Sequence, residues 1–322
     1  MSFNTANKIA IREHWNLPII KYISTKDRIK FHYFGLPGIK AYDVVAWKDY
    51  IDSVTAFEGP DNIKTGQGSN NLATLEKNLI LMGFYPKCYC GILEHVLHTT
   101  LDNLGNEFKF EKYYTLFNLD FCNSITTNTK LDEATYISRF ESFGELARLL
   151  KQKCTLNTSG SVWLVTLREE LHKRSYQEWL SSLDDAPLRE KLNSYNNLDR
   201  PCPQNPKLFY NYQKLKMFVY TLFTKILTSL NYSSYWFPLI LYTGNTTVSP
   251  MAHFMFISYA NAINRTAPKL LQSKSDFFSS HILALSDGVF HDMSIINEHS
   301  LLPQFALNNL IQNIISPFTT QL

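Results

Sequence analysis

The sequence predicts an α/β fold: a mostly parallel sheet with a late antiparallel hairpin, plus helical additions. Three observations predict it. β-rich runs alternate with segments of helical apolar spacing through residue 167. Two further β-rich runs then flank a turn-forming stretch. Finally, a chain of 322 residues with 45% hydrophobic, 14% aromatic and only 18% charged residues has the material for a large core and does not read as disordered.

The elements follow in order. After an N-terminal helix, Ile29–Phe34 is a strand that ends in Gly35-Leu36-Pro37-Gly38. Ala41–Tyr50 suits a short helix, and Asp52–Phe57 a second strand ending at Glu58-Gly59-Pro60. Leu72, Leu75, Leu79 and Met82 fall on one face of a helix over Asn70–Met82, stopped by Gly83. Lys87–Cys90 is a third strand. The apolar run Tyr113–Leu119 is a central strand that runs into Asp120-Phe121-Cys122-Asn123. Ile137, Phe140, Phe143, Leu146, Ala147 and Leu150 mark a helix over Tyr136–Lys153, and Gly160 opens a strand at Val162–Leu167. Beyond the Pro-broken linker Arg200–Pro206, a long helix covers Leu208–Leu230. Trp236–Tyr242 and Phe254–Tyr259 then form the hairpin across Thr243–Thr247. The domain reading is one unit over residues 1–264, with a C-terminal helical extension over 265–322 packed on it.

This order implies right-handed crossovers and a ligand cleft beyond the carboxyl ends of the strands. Gly35, Gly38, Glu58, Asp120, Asn123 and Arg168 all lie at such ends. Each also has a plainer reading. The glycines permit a tight turn, Glu58 is a solvated carboxylate, Asp120 is a helix-cap type and Asn123 a turn type.

Three pieces, Phe34–Gly38, Ala56-Phe57-Glu58 and Asn118–Asn123, make residues 25–260 resemble the class I S-adenosylmethionine-dependent methyltransferases, which are Rossmann-like. The resemblance implies that Gly35 and Gly38 form the turn beside the methionine moiety and that Glu58 binds the ribose hydroxyls. It also implies that Asp120 and Asn123 face the transferred methyl group as the catalytic pair. The turn departs from the family's Gly-x-Gly-x-Gly in keeping only two glycines, and Asp120–Asn123 only echoes an Asp-Pro-Pro-Tyr motif. A purely parallel dinucleotide-binding sheet fits less well, because Gly35-Leu36-Pro37-Gly38 lacks the GxGxxG spacing. The expected cofactor is S-adenosyl-L-methionine.

Net charge, +3 with histidines neutral, is too mild to mark a nucleic-acid binder by itself. The segment Lys207–Lys225 interleaves lysines with Phe209, Tyr210, Tyr212, Phe218, Tyr220 and Phe223. It reads as a surface for nucleic acid, the expected substrate class, or as an amphipathic helix packing its aromatics on the sheet. A catalytically inactive scaffold, holding a partner protein through an aromatic surface or the C-terminal tail, is the alternative to an enzyme.

The five cysteines make no even disulfide framework, and the charged N-terminus lacks a signal-peptide core, so a cytoplasmic location is expected. Met217–Leu230, the longest apolar stretch, falls short of the ~20 residues that span a bilayer, so no membrane partner is expected. Cys88 and Cys90 with His95 and His98 lack a second cysteine pair, so no metal site is expected. Cys122 has no histidine close in sequence to activate it. The sequence has no Walker, GxSxG, HExxH or kinase signature.

Overall fold

A computed structural model describes residues 4–62, 65–121, 124–130, 135–155, 160–168, 206–237, 239–243, 250–260 and 291–292, with isolated positions between 177 and 190. The chain opens with helix α1 (Ala6–Ala10), a π-helical turn (Ile11–Asn16) and helix α2 (Leu17–Asp27). Pro18 explains the widened turn. It has no N–H for the His14 carbonyl and its ring crowds that oxygen, so the Leu17 N–H reaches back to the Arg12 carbonyl instead.

Strand β1 (Phe31–Gly35) leads through Gly38 to α3 (Tyr42–Trp47), and β2 (Ile51–Glu58) to α4 (Asn70–Leu81). The Asp61 carboxylate caps α4 by accepting from the Asn70 and Asn71 backbone N–H groups. Next come β3 (Lys87–Cys90), α5 (Leu93–Thr99) and β4 (Leu116–Asp120). A small hairpin, β5 (Asn128–Lys130) and β6 (Tyr136–Ser138), precedes α6 (Arg139–Gln152), β7 (Gly160–Arg168) and α7 (Pro206–Ser229). The described chain ends with β8 (Tyr232–Trp236), β9 (Ile240–Thr243), β10 (Pro250–Ala260) and the dipeptide strand β11 (His291–Asp292).

Among the described residues the main sheet has nine strands in the order β11-β9-β10-β7-β4-β1-β2-β3, with β8 also on β10. The strands from β3 to β7 are mutually parallel. β10 runs antiparallel to β7 and to both β8 and β9. β8 and β9 take successive halves of one edge of β10, and the Phe237 N–H donates to the Met255 carbonyl between them. They act as one interrupted strand. The predicted α/β sheet with a late antiparallel hairpin is therefore what forms, and β10 carries the reversal.

Apolar residues on both sheet faces make three layers. On one face, Phe117, Trp163, Phe256 and Trp236 stack in series across β4, β7, β10 and β8, with centroids 3.8, 5.7 and 4.3 Å apart. Helices α5, α6 and α7 cover them, and Phe143 of α6 stacks on Phe223 of α7 at 3.7 Å. On the other face, Tyr33, Leu116, Val162 and Leu164 pack with Ile19, Ile20, Trp47, Leu75 and Leu79 of α2, α3 and α4.

Some element boundaries differ from the sequence expectations. The helix expected from Tyr136 begins at Arg139, because Ser138 caps it in a box with Glu141 and Tyr136–Ser138 pairs with β5. The strand expected from Tyr113 begins at Leu116. Of the two readings of Lys207–Lys225, packing holds for Phe218, Tyr220 and Phe223, which are buried. The helical extension expected over 265–322 lies outside the described residues except for His291–Asp292, which adds parallel to β9.

Candidate active-site cleft

A cleft of about 510 Å³ opens at the carboxyl ends of β1, β2, β4 and β7, where the strand order reverses between β1 and β4. Its size and position are those of ligand sites in such sheets. Gly38, Glu58 and Asp120 all line it, so three of the five residues singled out from the sequence meet in one place.

Gly38 has φ +65° and turns the chain from β1 toward α3; the Ala41 N–H closes the turn onto its carbonyl. Gly35 is not part of the lining. It lies at the sheet, where a Cβ would come 2.2 Å from the Asn118 carbonyl oxygen. That oxygen accepts from the Leu36 N–H at 2.9 Å, so Gly35 permits a close approach of β1 and β4. Glu58 ends β2 half-buried. Burial raises its carboxyl above the usual range, partly offset by the Gly59 N–H. Asp120 ends β4, its Oδ2 accepting from Lys8 Nζ at 2.6 Å rather than from a backbone cap. Asp120 Oδ1 is buried with no hydrogen-bond donor among the described residues. Asn123 and Cys122 lie outside the described residues. Arg168, at the end of β7, is not among the lining residues.

The roof of the cleft comes from residues that sequence reasoning passed over. Lys8, Arg12 and Asn16, spaced four apart on the N-terminal helical segment, each reach a different element below. Lys8 pairs with Asp120 on β4. Arg12 Nε donates to Asp43 on α3 at 2.5 Å, and Asn16 meets His253 on β10 at 3.0 Å. Asp43 accepts a second bond, from Asn118 Nδ2 at 2.8 Å, and Asn118 also donates to the buried Tyr33 hydroxyl at 3.1 Å. Burial, with Asp43 close by, pushes the Tyr33 phenol well upward. His253 is fully buried. Burial and the Lys8 charge push its imidazole down to about 3, so the ring is neutral. Asn16 Oδ1 only accepts, so Nε2–H donates to it and Nδ1 accepts from the Thr166 hydroxyl at 2.9 Å. The four-residue spacing Lys8-Arg12-Asn16 was the available signal; π-helical turns such as the one here recur at functional sites.

Arg139 of α6 donates to Glu94 of α5 at 2.8 Å and to the Ser124 carbonyl at 3.1 Å, and lies 4.8 Å from the Phe121 ring centroid. These contacts anchor the chain on both sides of positions 122–123. Away from the cleft, burial pushes the Cys88 thiol up to about 12. Among the described residues no group of three or more His, Cys, Asp or Glu side chains is placed to hold a metal ion, and no helix is long and apolar enough to cross a membrane.

No family model and no curated protein matches the sequence. Among solved structures, Pyrococcus horikoshii TYW2 in complex with MeSAdo is similar at TM-score 0.38 and 10% identity, covering 81% of this chain and 66% of that one. This chain thus spans just under two thirds of that protein. The O-methyltransferase TomG of Streptomyces achromogenes, in complex with SAM, is similar at TM-score 0.36 and 8% identity, covering 81% and 92%. An rRNA methylase from Streptococcus thermophilus is similar at TM-score 0.33 and 7% identity, covering 81% and 100%. The fold rests on the strand order itself, with antiparallel β10 set between β7 and β9: it is a Rossmann-like α/β sheet with a reversed strand toward one edge.

Proposed function

We propose that the chain is an S-adenosylmethionine-dependent methyltransferase. The observation that carries this reading is the meeting of Gly38, Glu58 and Asp120 in one cleft, at the switch point of a sheet with the antiparallel end.

The residues fit the cofactor. Two oxygens of the half-buried Glu58 carboxylate suit two adjacent ribose hydroxyls. Gly38 keeps the turn beside the cleft free of a side chain. Asp120 Oδ1, buried and with no donor among the described residues, is an acceptor for an N–H or O–H. S-adenosylmethionine, when bound, supplies an electrophilic methyl group for direct displacement. This chain's part is then positioning. Asp120 accepts a hydrogen bond from the incoming nitrogen or oxygen nucleophile, and Lys8 fixes the carboxylate's orientation. Asn123 is proposed as its partner at the nucleophile.

Nucleic acid stands as the proposed acceptor class only through Lys214 and Lys225. Phe218, Tyr220 and Phe223 are buried and cannot stack on bases. The test is transfer of label from methyl-labelled S-adenosylmethionine to RNA, DNA, protein or small-molecule acceptors. Transfer that Asp120→Ala abolishes, with cofactor affinity kept, supports the reading. Cofactor binding without transfer to any acceptor favours the inactive scaffold.

A further inference from the structure

Arg168 ends β7 and has no part in the chemistry proposed above. Its place follows from the alternation of the strand. Val162 and Leu164 face the side of the sheet covered by α2, α3 and α4, while Trp163, Val165 and Leu167 face the side covered by α5, α6 and α7. Thr166 and Arg168 continue the first series, and Thr166 lines the cleft. The register builds two rows there. Asp120 of β4, Thr166 of β7 and His253 of β10 form the inner row. Arg168, Met251 of β10 and Tyr242 of β9 form the outer one. Two residues of strand separate the rows, or about 6–7 Å toward the open end of the sheet.

The Arg168 side chain is partly buried, and its Nε is buried with no hydrogen-bond acceptor among the described residues. Arg12, Arg139 and Arg148 each pair with a carboxylate instead. Asp120, the acid of the inner row, is held by Lys8. Leaving a donor of a charged group buried and unpaired costs free energy, which a fold tolerates where a ligand brings the acceptor. A guanidinium fork matches the oxygens of a carboxylate or a phosphate, so an oxyanion is the missing partner.

We infer that Arg168 binds an oxyanion of the methyl acceptor, a phosphate or a carboxylate, about one strand repeat outward from the atom that receives the methyl group. The inference rests on the methyltransferase reading, which puts the acceptor's nucleophile at Asp120, and adds which residue holds the rest of the acceptor. Gly38 and Glu58 take no part in it.

The experiment follows the thermal unfolding midpoint of the full chain in phosphate, acetate or chloride at matched ionic strength, for wild type, Arg168→Leu and Arg168→Lys. An anion that binds only the folded state raises the midpoint. Phosphate or acetate is expected to raise the wild-type midpoint above its value in chloride. Arg168→Leu is expected to lose about half or more of that rise, and Arg168→Lys to keep part of it. Whichever anion gives the larger rise tells a phosphate-bearing acceptor from a carboxylate-bearing one. In chloride, Arg168→Leu is expected to unfold no earlier than wild type, because it removes an unpaired buried donor. Calorimetric titration with S-adenosylhomocysteine is expected to give the two proteins affinities within about twofold. No anion effect on the wild type, or an equal effect on wild type and Arg168→Leu, overturns the inference. So does an Arg168→Leu that unfolds earlier in chloride, fails to fold or loses S-adenosylhomocysteine affinity, since Arg168 is then structural or part of the cofactor site. Wild type that still binds S-adenosylhomocysteine leaves the methyltransferase reading standing in each of these cases. Wild type that does not bind it overturns that reading, and the assignment of Arg168 to an acceptor with it, whatever the anions do.

Discussion

Gly35 and Asn118 face each other in parallel register on β1 and β4, so closely that a Cβ on Gly35 would come 2.2 Å from the Asn118 carbonyl oxygen. The same two strands flank the switch point, and Asn118 reaches into the cleft to Asp43. The approach of the two backbones therefore sets the floor of the site. Gly35→Ala forces them apart. A loss of about 1–3 kcal/mol or more is expected, as for other overpacked interiors, together with weaker ligand binding. Urea unfolding of the variant checks the first, and titration the second.

Arg139 and Glu94 form an ion pair whose side chains are 10% and 2% exposed. Removing one partner of such a pair leaves the other charge buried, at a cost of about 3–5 kcal/mol. Arg139→Met is expected to show that loss, and the double variant Arg139→Met with Glu94→Leu to recover much of it. Denaturant midpoints of the three proteins test this. If the single variant is as stable as the wild type, the pair does not anchor the chain around Ser124.

His253 gives a pH dependence of stability. Its folded value, about 3, lies below the ordinary 6.5. The unfolded chain therefore takes up a proton below pH 6.5 that the folded chain refuses. The stability His253 contributes is complete above that pH and falls by up to about 1.4 kcal/mol per pH unit toward pH 3. His253→Gln flattens this slope, as unfolding measured across that window will show. A slope unchanged by the substitution contradicts the buried neutral assignment.

These residues also show what could be read in advance. β7 was legible because a fully buried parallel strand is a continuous apolar run, as in Gly160–Arg168, where every residue but the last is buried. Tyr113–Thr115 was read into β4 because an aromatic run looks the same whether or not it joins the ladder. α5 was missed because Leu93–Thr99 is too short to show a period. Glu58 and Asp120 were legible as acids at strand ends, a position that topology alone makes interesting. Lys8, Arg12 and Asp43 were not. A cation on an N-terminal helix reads as solvated until the fold lays that helix across the sheet.

Glu58 gives a second pH effect, on binding. Burial raises its carboxyl above 4.5, and only the ionised form offers all its lone pairs to two hydroxyl donors. Affinity for S-adenosylhomocysteine is expected to rise with pH through the range just above 4.5 and then level. The ligand-free fold moves the other way there, since ionising a group whose folded pKa is raised costs stability. Titrations at a series of pH values on wild type and Glu58→Gln test this, the variant being expected to lose that component of the rise.

The most direct measurement is calorimetric titration of S-adenosylhomocysteine into wild type and Glu58→Ala at neutral pH, with the fold of each checked by circular dichroism. Charge-assisted hydrogen bonds contribute about 1.5–3 kcal/mol, so the variant is expected to bind roughly tenfold to a hundredfold more weakly. Equal affinity in the two proteins removes Glu58 from the site. No binding to the wild type at millimolar ligand contradicts the methyltransferase account and leaves the cleft to the scaffold reading.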